Sequence, residues 1–197
     1  MFRTPLVIAT ALAVAFGLGI LSSIYALRAT VGFGAIALGP WTAFPAAQTV
    51  GADPYAKAHR ARDGRLLLGG AEGLTFTAAT DSENRTLMEN CRYEIKGITP
   101  PARLWTLHAA DRDGNPLEGA RAGLPTGLNS WSALRSADSN FSIRIASSAM
   151  PGNWLAVPDG RAPFLLVMTL LDTPTAGSSG VIDLAMPGIA RLGCADA

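Results

Sequence analysis

Residues that carry chemistry are scarce in this chain. Among 197 residues there are two histidines, two cysteines and two lysines. A zinc centre needs three or four close ligands. His59, His108, Cys91 and Cys194 show neither helical nor Cys-x-x-Cys spacing, so no metal is expected. A phosphate-cradling glycine loop ends in Lys-Ser or Lys-Thr, and neither Lys57 nor Lys96 has that setting. A serine nucleophile sits on a strained strand-to-helix turn; the nearest string, Gly177-Ser-Ser-Gly180, reads as a flexible loop. Asp111-Arg-Asp-Gly-Asn115 reads as a hairpin turn, because the Gly and Glu of a calcium loop fall on Pro116 and Ala122. No catalytic residue and no cofactor are expected.

Charge of either sign is also thin. No acid occurs before Asp53. Setting Arg3 aside from the 16 basic residues leaves 15, equal to the 15 acidic ones. A nucleic-acid partner wants a basic face, so this balance argues against one.

What is present in quantity is an uncharged apolar run. Pro5 to Leu27 is 23 residues without a charge, with Arg3 before it and Arg28 after. At about 1.5 Å per residue it makes roughly 34 Å of helix, enough to cross a hydrocarbon core of about 30 Å. A cleaved signal peptide would have a shorter apolar stretch and a small-x-small exit. Tyr25-Ala26-Leu27-Arg28-Ala29 fits such an exit poorly, so an uncleaved anchor is favoured. The membrane is therefore an expected partner through Pro5 to Leu27. The short tail and Arg3 favour a cytoplasmic N-terminus. This makes a single-pass inner-membrane protein with its C-terminal domain in the periplasm.

The expected organisation is an anchor at 1–28, a juxtamembrane connector at 29–52 and a folded domain at 53–197. Thr30 to Gly51 is apolar and interrupted by Pro40 and Pro45, with Trp41 suited to the headgroup level. The same stretch also suits a segment packed on the domain. Asp53-Pro54 starts a short helix that stops near Gly64. Beyond Leu66 the apolar period becomes two. Leu74, Phe76 and Ala78 alternate with Thr75 and Thr77; Cys91, Tyr93 and Ile95 alternate with Arg92, Glu94 and Lys96. Further strands follow at Arg103–His108, Phe141–Ile145 and Phe164–Leu171, whereas Ala120–Ser130 reads as an irregular stretch and Pro151–Leu155 as a loop. Short strands with frequent turns indicate a mainly β, jelly-roll-like sandwich preceded by one transmembrane helix and one short helix.

In an oxidising compartment Cys91 and Cys194 are a candidate disulfide. Trp105, Asn153 and Trp154 are the candidate pocket or packing motif. Core filling is the commoner fate of such rings.

The run Cys91-Arg-Tyr-Glu-Ile-Lys-Gly, with Pro100-Pro-Ala-Arg-Leu-Trp-Thr-Leu-His-Ala-Ala-Asp111, resembles the centre of a bacterial family of unknown function numbered 1214. Pro151-Gly-Asn-Trp-Leu155, Pro163–Met168, Ser139–Ile145 and Met186–Leu192 fit its other motifs in order. Ala156 departs from the family's usual Pro, and Thr169-Leu-Leu171 replaces its Arg-Leu-Tyr run. The resemblance implies a jelly-roll-like sandwich. It also implies a companion domain, numbered 1254, here as a separate membrane-anchored protein. No established activity comes with it. The favoured function is an exported, tethered interaction subunit of an envelope complex. The alternative is a ligand-binding or hydrolytic module with a pocket near Asn153 and Trp154.

Overall fold

The computed structural model describes residues 3–29, 34–47, 49–64, 68–69, 72–119, 121–174 and 185–195. Gly177–Gly180 lies outside them, as do the side chains of His59 and Arg62. The chain divides into two compact units.

One unit holds the helices α1 (Arg3–Ala29) and α2 (Pro54–Asp63). From Arg3 to Ala26, α1 is long and apolar enough to cross a membrane, a criterion that a signal sequence near the N-terminus also satisfies. Three of its hydroxyls return to the helix backbone. Thr10 donates to Leu6 O at 2.8 Å, and Ser22 and Ser23 both donate to Gly19 O at 2.9 Å. A helix surface satisfied in this way suits a medium without water. In α2, Asp53 caps the first turn by accepting from Ala56 N at 2.9 Å, and Pro54 takes the first helical position. Gly64 closes the helix at φ 64°, a left-handed conformation that glycine adopts without penalty.

The other unit is built of strands: β1 (Ile36–Leu38), β2 (Trp41–Ala43), β3 (Gly73–Ala78), β4 (Cys91–Gly97), β5 (Leu104–Ala110), β6 (Gly127–Asn129), β7 (Phe141–Ala146), β8 (Asn153–Ala156), β9 (Leu165–Leu171) and β10 (Gly188–Cys194). Six form a sheet in the order β1-β2-β3-β9-β5-β6, and four form a second in the order β10-β4-β7-β8. One core joins them: Phe76, Trp105 and Met168 from the first sheet meet Tyr93, Ile143 and Leu155 from the second. This is the mainly β, sandwich-like architecture expected of the alternating sequence.

Three segments differ from expectation. Trp41 does not lie at a headgroup level in a connector. It is fully buried, and its indole N–H donates to Pro187 O at 2.7 Å. Residues 36–43 form a hairpin whose second strand pairs with β3, because a buried edge satisfies the backbone better than a free apolar linker. Residues 153–156, expected in a loop, form β8, which runs parallel to β7. Gly127–Asn129, within an expected irregular stretch, pairs with β5.

Candidate functional site

Alternation along a strand sends every second side chain to the same face. With Tyr93, Ile95, Ile143 and Ile145 in the core, the outer face of the second sheet receives Arg92, Glu94 and Lys96 from β4. It also receives Ser142 and Arg144 from β7. The antiparallel register sets Lys96 opposite Ser142 and Glu94 opposite Arg144. Ser142 Oγ donates to Glu94 Oε1 at 2.7 Å, which engages that acid.

Over this face the loop from β6 to β7 brings Leu134, Arg135 and Asn140, and the start of β8 brings Asn153. Together they line an open groove of about 430 Å³ whose cations are Lys96, Arg135 and Arg144. Among the described residues, no carboxylate lies within ion-pair distance of these three. Arg135 rests over the Trp105 ring at 5.9 Å.

The groove has a rigid rim. Asn153 Oδ1 accepts from Leu134 N at 2.7 Å, and its Nδ2 donates to Leu134 O at 2.8 Å and to Ser142 O at 2.9 Å. Asn129 Oδ1 accepts from both Trp131 N and Ser132 N at 3.0 Å. On this locked turn Trp131 is 80% exposed and Leu134 69%. Asp138 holds the next turn, with Ser136 and Asn140 donating to it. Those bonds outweigh desolvation and keep its carboxyl below the ordinary 3.8.

The residues singled out in the sequence are thus only partly gathered. Asn153 lines the groove, but as a strut whose polar atoms are engaged. Trp154 stands opposite Arg144 in the register and donates its indole N–H to Ala146 O at 3.0 Å. Trp105 is buried beneath the rim, 5.1 Å from the Phe141 ring, and its own Nε1–H meets no acceptor among the described residues. Cys91 and Cys194 are joined by a disulfide between opposed residues of β4 and β10. The cations of the groove were not singled out from the sequence. Their signal is the shared parity of Glu94 with Lys96 and of Ser142 with Arg144, which becomes a site only once β4 and β7 are known to pair.

The outer face of the first sheet has a different character. One row runs Asn129, Thr106, Thr169, Thr75; the next runs Gly127, His108, Val167, Thr77, Thr42. Thr75 and Thr169 share a hydroxyl hydrogen bond at 3.3 Å. No Asp, Glu, Lys or Arg stands in either row. Burial pushes the His108 imidazole below its ordinary 6.5, toward the neutral form.

The body is therefore a two-sheet sandwich with one charged and one uncharged outer face. Residues 72–175 match the family described as "Protein of unknown function (DUF1214)", and the chain belongs to that family. Its fold is similar to the crystal structure of the VPA0106 protein from Vibrio parahaemolyticus. That match has a TM-score of 0.57 and 18% identity, over 73% of this chain and 36% of that one. A crystal structure of an uncharacterised protein from Burkholderia cenocepacia also matches, with a TM-score of 0.41 and 16% identity over 64% of this chain and 31% of that one. This chain spans well under half the length of either. No curated protein matches.

Proposed function

We propose that this protein is an exported β-sandwich, tethered to the inner membrane by α1, that works by association as a subunit of an envelope complex. In this arrangement residues 1–28 are the anchor and the folded body lies in the periplasm. Its partner is a companion membrane-anchored protein of the family numbered 1254. The observation that carries association is the uncharged outer face of the first sheet. Buried interface centres are depleted in charge, and here two rows across the sheet offer threonine, valine and one neutral-leaning imidazole. The Cys91–Cys194 bridge supports an oxidising location, and the length and composition of α1 support the tether.

The test is recovery of the full chain from membranes in mild detergent, beside a Thr106→Lys variant. The expected result is one stoichiometric companion with the parent chain and its loss with the variant, whose melting curve stays near that of the parent. Equal recovery of the companion by both chains, or its absence from the parent, overturns this assignment.

A further inference from the structure

We infer that the groove of Lys96, Arg135 and Arg144 is a docking site for anionic phospholipid, with Trp131 and Leu134 entering the interface beside it. This rests on the proposed tether, which keeps a bilayer within reach of the body.

Four observations converge. The groove carries three cations, and no carboxylate is paired with any of them among the described residues. Of the acids at its edge, Glu94 is engaged by Ser142, and Asp138 by Ser136 and Asn140. Asn140 lines the same wall, and its side-chain amide, which gives one hydrogen to Asp138, has a second to offer a phosphate diester. Finally, the rim displays a tryptophan at 80% exposure and a leucine at 69% on a turn locked by Asn129 and Asn153.

A large indole held out by a rigid turn meets water at a cost unless something covers it. Indole rings settle at the level of lipid headgroups, and basic side chains are drawn to anionic leaflets. An apolar prong beside a basic groove is the pattern that a headgroup and its first acyl carbons fit. A free phosphate would use the cations and leave the prong unexplained.

The full-length chain, reconstituted in vesicles with brominated acyl chains, provides the test. One set is phosphatidylcholine alone, and the other includes phosphatidylglycerol. Trp41 and Trp105 are buried and Trp154 partly so, and the Trp131 signal is the difference between the parent and a Trp131→Phe variant. The expected result is lipid quenching of Trp131 that depends on phosphatidylglycerol. Lys96→Gln and Arg144→Gln each lower the contact equilibrium by about fivefold, the effect of one basic residue at an anionic surface. Arg144→Lys restores most of it.

Quenching that is undiminished in Trp131→Phe, or that ignores phosphatidylglycerol, overturns the inference. So does release by millimolar inorganic phosphate, which would make the groove a soluble-anion site. Shielding of Trp131 from both brominated lipid and aqueous iodide would place a protein there instead and also overturns it. The tether is separately readable. A chain stripped from vesicles by alkaline carbonate overturns both readings, whereas a retained chain with unquenched Trp131 overturns this one alone.

Discussion

Asp81 is the most deeply committed charge in the body, with a side chain that is fully buried. Its Oδ2 lies 2.9 Å from Arg85 Nε and 3.3 Å from Arg191 Nε, and its Oδ1 accepts from the backbone N–H groups of Glu83 and Arg85. Arg191 in turn lies over the Tyr93 ring at 5.5 Å. Desolvation alone would raise this carboxyl, but the hydrogen bonds from Arg85 and Glu83 and the Arg85 charge hold it below 3.8. A depressed carboxylate adds stability above its unfolded value and loses it as pH falls through the folded one. Asp81→Asn is expected to cost about 2 kcal/mol at neutral pH, less than a fully buried pair because Arg85 is largely exposed. The variant should also lose less stability than the parent below pH 3.8, as urea titrations at several pH values will show. His108 shifts in the same direction from a higher starting point. Its neutral form is favoured by burial, so its contribution fades as pH drops below 6.5. His108→Gln should flatten the thermal stability profile just below that value. An unchanged slope would remove the imidazole as its cause.

Among the elements, β3, β4, β5 and β7 were legible because each alternates cleanly and turns bound them. In β4, Cys91, Tyr93 and Ile95 are buried while Arg92 and Lys96 are exposed. The strands that were missed depend on distant partners. The hairpin of β1 and β2 is a short apolar stretch whose place is set by pairing with β3, some thirty residues on. β8 follows Pro151-Gly152, a turn signal, and gains strand geometry from its parallel neighbour β7. The groove was hidden for the same reason, since Lys96 and Arg144 lie on strands with no local sign of their register. β10 is glycine-rich and carries a bulge between Arg191 and Gly193, so it owes much of its hold to the bridge. The disulfide closes a loop of 103 residues. Removing it with the Cys91→Ala, Cys194→Ala pair is expected to cost up to about 4–5 kcal/mol, measured by denaturant melts. Amide exchange should quicken first along β10 and the facing half of β4. Uniform acceleration across both sheets would show that β10 does not open as a separate unit.

At the scale of the whole molecule, the sandwich separates two kinds of outer surface while α1 supplies a third environment. An uncharged threonine face and a cationic groove on opposite sheets can serve a protein and an anionic ligand without competing for residues. Whether they act at a bilayer depends on α1 remaining attached. Its surface is apolar, with Leu6, Phe16 and Leu18 each more than three-fifths exposed and the hydroxyls of Thr10, Ser22 and Ser23 bonded back to the helix. A charge at the middle of such a span costs about 2.5–3.5 kcal/mol on insertion scales. One such change should weaken retention, and two should exceed what a single span of this composition tolerates. Leu12→Asp combined with Ala15→Asp is therefore expected to move the chain from the carbonate-resistant pellet to the soluble fraction, while either change alone leaves most of it behind. Intact mass of the parent chain supplies the complementary measurement. An anchor retains Met1 through Ala29, whereas a cleaved signal yields a shorter product indifferent to both substitutions once exported. Recovery of that shorter product would detach the body from the membrane and leave the threonine face, rather than the groove, as the surface through which it works.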